Sequence, residues 1–339
     1  MKSMNIAIIG FGNVGRALVK TIALKRKMLI DKYDVSLNVV AIADSRGMVI
    51  KPNGLSEYEM LKLCEIPRSC IYMFTPYAKQ GVDLDEIYNE TQPQIHVELT
   101  PANYVTGEPG YRNVLFALRR GAHVVTANKA PLALHYREVV EEAKARGCSV
   151  EFTATVMGGT PFLRALISMR SHDIEKVEGI LNATTNYILT EMHENLLDFE
   201  QALKKAQTIG VAEKDPSLDV EGFDAAAKLT IISNVVGKPV NMNEIYRESI
   251  INVSQRDIMY AIKQNYVIKH VAKLDVQRGA ASVKVEKVPK NSLLAHVNGT
   301  LNCAIIKSDI TELSFIGSGG GRMETAHTVL DDILKVALR

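Results

Sequence analysis

The chain reads as an α/β protein: a Rossmann-like doubly wound parallel sheet, then a second α+β region with its own sheet. Three observations predict this. A β-rich run, Asn5–Ile9, ends in Gly10-Phe11-Gly12-Asn13-Val14-Gly15, and an amphipathic stretch from Arg16 through Lys27 follows it. Apolar runs at Leu37–Ala43, Gln94–Leu99 and His123–Ala127 then recur with helical or looped segments between them. Late in the chain, Tyr266–Val276, Ser282–Val288, Leu301–Ile306 and Glu312–Ile316 read as strands of a separate sheet, and the first two alternate as an antiparallel pair does.

In the first third, strand, G-x-G-x-x-G and helix stand in the order of the dinucleotide fingerprint. The first glycine permits a tight turn, the second lets backbone approach a pyrophosphate, and the third allows close helix packing. The helix N-terminus adds amides and partial positive charge for phosphates. The second strand ends at Asp44-Ser45-Arg46-Gly47. Asp44 suits a ribose hydroxyl, as in NAD binders, and Arg46 suits a 2′-phosphate, so the residues argue both ways. Between Met48 and Asp85 the pattern is loop and helix. Gln94–Leu99 ends in Thr100-Pro101-Ala102-Asn103, a polar turn where ligands lie in open α/β sheets. A helix, Tyr111–Arg120, precedes His123–Ala127, whose end carries Asn128-Lys129; Lys129 is a candidate active-site lysine. His96 and His123 sit inside apolar strands and read as packed or hydrogen-bonded rather than as ligands.

Ser149–Val156 reads as a further strand leading into Met157-Gly158-Gly159-Thr160-Pro161 and the helix Phe162–Met169. Glu178–Leu189 joins strand to helix, and Asp198 with Gln201 forms a capping-box pattern for the helix reaching Thr208. The chemistry concentrates in Glu213–Lys228. Five carboxylates (Glu213, Asp215, Asp219, Glu221 and Asp224) crowd a turn-prone segment that runs into an Ala-rich helix. Lys228 follows Asp224 by four residues, so both occupy one helix face. A lysine flanked by Ala and Leu and facing acids suits proton transfer or the holding of a small charged substrate. The last strand ends in Gly317-Ser318-Gly319-Gly320-Gly321, and a final helix is expected over Glu324–Leu338.

Composition narrows the classes. At 339 residues the chain is long enough for two or more structural units. A net charge of +2 from nearly balanced acids and bases offers no polybasic field for nucleic acid. No apolar stretch approaches a bilayer span, so no membrane partner is expected. Cys64, Cys70, Cys148 and Cys303 lack metal spacing and read as buried, reduced thiols of a cytoplasmic protein.

Taken together these runs resemble homoserine dehydrogenase along essentially the whole chain. The likeness rests on Gly10–Gly15, Ala43–Gly47, Leu99–Asn103, Thr126–Lys129, Gly179–Leu189, Gly210–Glu213, Gly222–Lys228 and Gly317–Ala326. It implies NAD- or NADP-linked interconversion of L-homoserine and L-aspartate 4-semialdehyde, in threonine and methionine biosynthesis from aspartate. By resemblance Lys228 is the acid/base lysine, Glu213 holds the substrate ammonium, and Asp219, Asp224 and Thr184 help place substrate or handle protons. Lys129 lies near nicotinamide and substrate. The cofactor contacts it implies are Gly10, Phe11, Gly12, Asn13, Val14, Gly15, Asp44, Arg46, Thr100, Lys129 and Gly321. Carbonyls of Val156, Gly158 and Thr160 are candidate ligands for a monovalent cation, Na⁺, although Thr153 stands where relatives often carry Glu. Ala183, Lys214, Ser318 and Glu324 are further departures.

The resemblance also implies a homodimer built on the second sheet. The expected division is residues 1–149 with 322–339 for the dinucleotide, 150–162 with 266–321 for dimerisation, and 163–265 for substrate. The regulatory extension of some relatives is not expected. Two rival readings stand: aspartate-semialdehyde dehydrogenase, which works through a cysteine thioester, and an NAD(P)-sensing Rossmann binding module.

Overall fold

The computed structural model describes residues 1–74 and 76–339. The chain divides into two compact units, Met1–Thr155 with Gly321–Arg339, and Val156–Gly320.

The first unit carries a seven-stranded sheet in the order β4-β3-β2-β1-β5-β6-β7. Its strands are β1 (Lys2–Ile9), β2 (Val35–Ala43), β3 (Gly47–Ile50), β4 (Ala78–Gln80), β5 (Ile95–Glu98), β6 (His123–Thr126) and β7 (Val150–Glu151). β2, β1, β5, β6 and β7 run parallel, and β3 and β4 add an antiparallel edge. Helices α1 (Asn13–Tyr33), α2 (Glu57–Leu63), α3 (Leu84–Thr91), α4 (Gly110–Arg119), α5 (Ala130–Ala145) and α12 (Arg322–Ala337) accompany it. Ile6, Ile8, Val39, Ile42, Val97 and Val125 are fully buried, as strands flanked by helices on both faces require. Helix α1 ends where Asp34 takes the left-handed conformation (φ 55°) and sends its N–H back to the carbonyls of Leu29 and Ile30.

Two expectations need correction here. The stretch after Met48 is not only loop and helix, because Met48-Val49-Ile50 is wholly buried and pairs antiparallel with β2. Such a short apolar run gives too little periodicity to stand out from a loop. The strand expected over Ser149–Val156 stops at Glu151, and this pair completes the first sheet instead of joining the second region. Thr153 gives its N–H and hydroxyl to the Asp332 carboxylate at 2.8 and 2.6 Å, so no ladder can continue, and Thr153–Thr155 turns as a 3₁₀ helix.

The second unit holds a six-stranded sheet in the order β13-β12-β8-β10-β11-β9. The strands are β8 (Ile174–Ile180), β9 (Tyr246–Arg247), β10 (Tyr266–Asp275), β11 (Ala280–Pro289), β12 (Leu301–Ser308) and β13 (Glu312–Ser318). The four late strands expected from alternation are present, but β8 and β9 come from the segment 163–265 that was assigned to substrate alone. β8 lies between β12 and β10, and its Ile-Glu-Lys-Val-Glu-Gly-Ile pattern leaves polar residues half-exposed. Helices α6 (Phe162–Ser168), α7 (Ala183–Glu194), α8 (Phe199–Thr208), α9 (Ser217–Val220), α10 (Phe223–Val235) and α11 (Gln255–Lys263) complete the unit. The Asp198–Gln201 capping box forms at the start of α8. Helix α10 is buried over Ala225–Ser233, as a helix apolar on nearly every side must be.

Candidate active site

In the second unit, two segments distant in sequence converge on α10. Gly222 takes a left-handed conformation (φ 82°) between α9 and α10, which lets the chain reverse and aim the first turn of α10 back at α7. Asp224 and Lys228 then lie one turn apart, with Nζ of Lys228 2.7 Å from Oδ2 of Asp224. Nζ also donates to the carbonyl of Leu181, the residue before the N-cap of α7. Lys228 is only 7% exposed. An ammonium has three donors, and two are engaged by these partners.

Asn182 caps α7 by accepting from the Thr185 N–H at 2.9 Å. Its amide nitrogen reaches the other way, donating to Asp219 Oδ1 at 2.6 Å and Asp224 Oδ2 at 3.0 Å. One buried amide therefore gathers both carboxylates. Burial, then the charge of Asp224, pushes the Asp219 carboxyl above its ordinary range, against the Asn182 amide, the neighbouring Thr184 hydroxyl and the Lys228 ammonium. Thr184 stands in the first turn of α7 and donates to the Val211 carbonyl at 3.3 Å.

Of the five carboxylates in the acidic stretch, only Asp219 and Asp224 join this cluster. Glu213 is exposed, and its backbone carbonyl accepts from Gln207. Asp215 accepts from the Ser217 N–H at 3.1 Å, and Glu221 is exposed. Asn182 was not singled out in the sequence; its signal was the N-cap position before a helix.

In the first unit the glycine turn has the geometry of a phosphate cradle. Gly10 has φ 109°, and a Cβ there would sit 2.4 Å from the Leu99 carbonyl carbon. A Cβ on Gly15 would fall 2.2 Å from the Gly10 oxygen. At Gly12 a Cβ would meet nothing within 4 Å, so this backbone is open to a ligand. Phe11 is buried beneath the Arg16 guanidinium, and Asn13 and Val14 begin α1. These features fit a dinucleotide pyrophosphate.

At the end of β5, Glu98 is fully buried and accepts from the Thr100 N–H at 2.8 Å, the Thr100 hydroxyl and Asn113 Nδ2 at 3.0 Å. Asn128 Nδ2 donates in turn to Thr100 Oγ1 at 3.2 Å. Burial pushes the Glu98 carboxyl up, but His96, whose Nε2 is 3.7 Å away, and the hydrogen bonds from Thr100 and Asn113 hold it below its ordinary range. Sequence reading missed Glu98 because it sits inside an apolar strand, where its partners come from other elements. Lys129 is half-buried at the N-cap of α5, and Gly321 is the N-cap of α12. His96 meets the Tyr88 hydroxyl at 3.2 Å through Nδ1, and His123 Nδ1 accepts from the Ser149 N–H at 3.0 Å. Asp44 accepts from the N–H groups of Arg46, Gly47 and Ile71, while the Arg46 side chain is exposed.

The loop carrying Val156, Gly158 and Thr160 is buried, with Met157 at φ 51°. The Gly158 N–H donates to the Gly319 carbonyl at 3.2 Å, and the Thr160 hydroxyl to the Ser318 carbonyl at 3.2 Å. The cysteines are all free thiols, but only Cys303 is buried; Cys64, Cys70 and Cys148 are half-buried near loops and helix ends, correcting the expectation of four buried thiols. No helix among the described residues is long and apolar enough to cross a membrane.

A family profile described as homoserine dehydrogenase matches residues 161–334, and one described as its NAD binding domain matches residues 10–153. The chain belongs to the homoserine dehydrogenase family. A homoserine dehydrogenase of Methanocaldococcus jannaschii is 36% identical over 338 residues, covering 98% of both chains. The crystal structure of a putative homoserine dehydrogenase from Archaeoglobus fulgidus superposes with a TM-score of 0.87 at 32% identity, covering 98% of this chain and 99% of that one. A hyperthermophilic archaeal homoserine dehydrogenase mutant in complex with NADPH gives a TM-score of 0.84 at 32% identity, covering 98% and 97%. The glycine cradle lies within the NAD-binding match, and the Asn182–Asp219–Asp224–Lys228 cluster lies within the homoserine dehydrogenase match.

Proposed function

We propose that the chain interconverts L-homoserine and L-aspartate 4-semialdehyde with NAD(P), a step of threonine and methionine biosynthesis from aspartate. Membership of the family supports the activity, and the buried Lys228 supports the chemistry. When bound, the nicotinamide supplies or accepts the hydride at the carbon bearing the substrate oxygen.

Lys228 handles the proton. Leu181 and Asp224 take two of its donors, leaving one N–H direction for the substrate oxygen. In the reducing direction Nζ gives a proton as negative charge develops on that oxygen; in the oxidising direction it takes one back. Asp224 holds the ammonium in place, and Asn182 holds Asp224 and Asp219 together. Asp219 and Glu213 bind the substrate ammonium in this reading, and Thr184 helps to orient Asp219. On the nucleotide side, Gly10 to Gly15 take the pyrophosphate. Thr100, oriented by Glu98, and Lys129 and Gly321 line the nicotinamide end.

The same proposal includes Na⁺ on the carbonyls of Val156, Gly158 and Thr160, supported by the buried, tightly turned loop. It also includes a homodimer through the second sheet, whose edge strand β13 exposes Leu313 and Ile316.

Assaying the purified protein with homoserine and each of NAD and NADP tests the activity directly. Homoserine-dependent formation of reduced cofactor is the expected result; none with either cofactor overturns the reading. Burial pushes the Cys64 and Cys148 thiols up and that of Cys303 to about 11, which disfavours a thioester route through these three cysteines. Phosphate-dependent reduction would revive it. In a nucleotide-sensing module, Lys228→Ala would leave activity unchanged.

A further inference from the structure

One ammonium in the second unit has no part in the chemistry above and is buried all the same. Lys269, in β10, is only 1% exposed. Its Nζ donates to Asn186 Oδ1 at 3.1 Å, to the Val297 carbonyl at 2.6 Å and to Asn298 Oδ1 at 2.9 Å. An ammonium has three donors, so all are engaged and none remains for a ligand. No carboxylate pairs with it among the described residues. Burial, against the charge of Glu194, lowers it to about 8, so it still carries its proton at neutral pH. An unpaired cation inside a fold is costly, and a methionine would fill much of the same space. What the lysine does that a methionine cannot is hold three acceptors at once.

Those acceptors seat α7. Asn186, itself 1% exposed, donates through its amide to the carbonyls of Val297 and Leu301 at 3.1 and 2.9 Å. One turn further along, the Thr190 hydroxyl donates to the Asn186 carbonyl at 2.7 Å and accepts from the Gly299 N–H at 3.0 Å. One turn back, the Asn186 N–H donates to the Asn182 carbonyl at 3.3 Å. Asn182 carries the amide that gathers Asp219 and Asp224. A continuous run of hydrogen bonds therefore leads from Lys269 through Asn186 and Asn182 to the carboxylate paired with Lys228. Leu181, the other partner of Lys228, follows β8, whose last residue pairs with Cys303 of β12, so the sheet holds it independently. A displaced α7 would be felt first at Asn182.

We propose that Lys269 is a positioning residue for the reaction: by locking Asn186 it sets the first turn of α7, and so fixes the Asn182 amide that aligns Asp219 and Asp224 beside Lys228. The inference rests on the homoserine reading above and adds to it a residue that acts only through others.

Kinetics and hydrogen exchange on the full chain test it together. Lys269→Met should lower kcat for homoserine oxidation by roughly ten- to a hundred-fold, the scale on which small misplacements of reacting groups act. Nucleotide affinity measured by titration should stay unchanged, and the backbone amides in the first turn of α7 should exchange faster. Asn298→Ala removes one acceptor at an exposed position; it should lower kcat by roughly threefold and melt normally. In an Asn182→Ala background, Lys269→Met should add less than about twofold, because both changes break the same line of contacts. Full multiplication of the two effects overturns the proposal. So does a Lys269→Met variant that keeps its kcat, whatever its melting point, since that marks a residue serving stability alone. If Lys269→Met does not fold, Asn298→Ala decides, and unchanged kcat with unchanged exchange overturns the proposal. If the unaltered protein turns over no homoserine, the reaction reading falls by itself. Exchange in the first turn of α7 then still decides whether Lys269 holds the cluster.

Discussion

Lys228 stands with two donors engaged and the third available, so its replacement tests both its charge and its proton. Lys228→Ala should lower kcat for homoserine oxidation by roughly a hundred- to ten-thousand-fold while cofactor affinity measured by titration barely moves. Lys228→Arg keeps the charge but cannot release a proton at working pH. It should be nearly as impaired, and recovery of activity in Arg would reduce Lys228 to an electrostatic role. Asp219 carries a different signature. Its carboxyl is held above the ordinary range, so the folded chain binds a proton more readily than the unfolded chain does. Stability from this group is therefore greatest in acid and is lost as pH rises through the folded value. Asp219→Asn should raise the thermal midpoint at neutral pH yet raise KM for homoserine. A fall in the midpoint would mean that the carboxylate stabilises the fold. The sequence made Lys228 and Asp224 visible by their spacing. Spacing did not rank Asp219 above Asp215, which the resemblance alone did; the physical difference comes from Asn182, 37 residues away in the chain.

At the scale of the element, the glycine turn shows how one motif divides its work. Gly15 has no room for a methyl group, since the Gly10 oxygen lies 2.2 Å from where it would go. Gly15→Ala should cost about 1–3 kcal/mol through this clash and lower the denaturation midpoint. Gly12→Ala meets open space and should melt normally, while nucleotide affinity falls roughly tenfold as the methyl fills the phosphate approach. If both variants melt alike and bind alike, the division of roles is wrong. The strand–turn–helix order of this region was legible because a parallel strand buried on both faces is continuously apolar. β7 was not, since its length is set by where Asp332 captures Thr153, and that partner arrives from the last helix. β3 escaped notice because its three apolar residues gain their burial only from β2 and β4.

For the whole molecule, two imidazoles, half-buried His193 and buried His270, link pH to stability. Burial lowers both His193 and His270 to about 4. His193 must stay neutral at Nε2 to accept the Ile268 N–H at 2.9 Å, and His270 Nε2 faces the Glu248 carbonyl at 2.9 Å. Because the folded values lie below the ordinary 6.5, the unfolded chain takes up protons first as the solution is acidified. Stability should be fully present above pH ~6.5 and decline towards pH ~4, with the thermal midpoint falling over that interval. His193→Gln should flatten the decline; an unchanged slope in both His193→Gln and His270→Gln would assign the acid sensitivity elsewhere. By itself the sequence determined that a dinucleotide half precedes a second sheet, that Lys228 shares a helix face with an acid, and that the family is homoserine dehydrogenase. Local spacing and hydrophobic period carry the first two, and the resemblance of an ordered set of motifs carries the third. Only the tertiary structure decided that Asn182 brings Asp219 to Asp224, that Glu98 orients Thr100, and that Asp44 accepts from the Ile71 N–H. Those facts depend on donors brought from distant segments, and a hydrogen bond's partner is fixed by the packing of the whole chain.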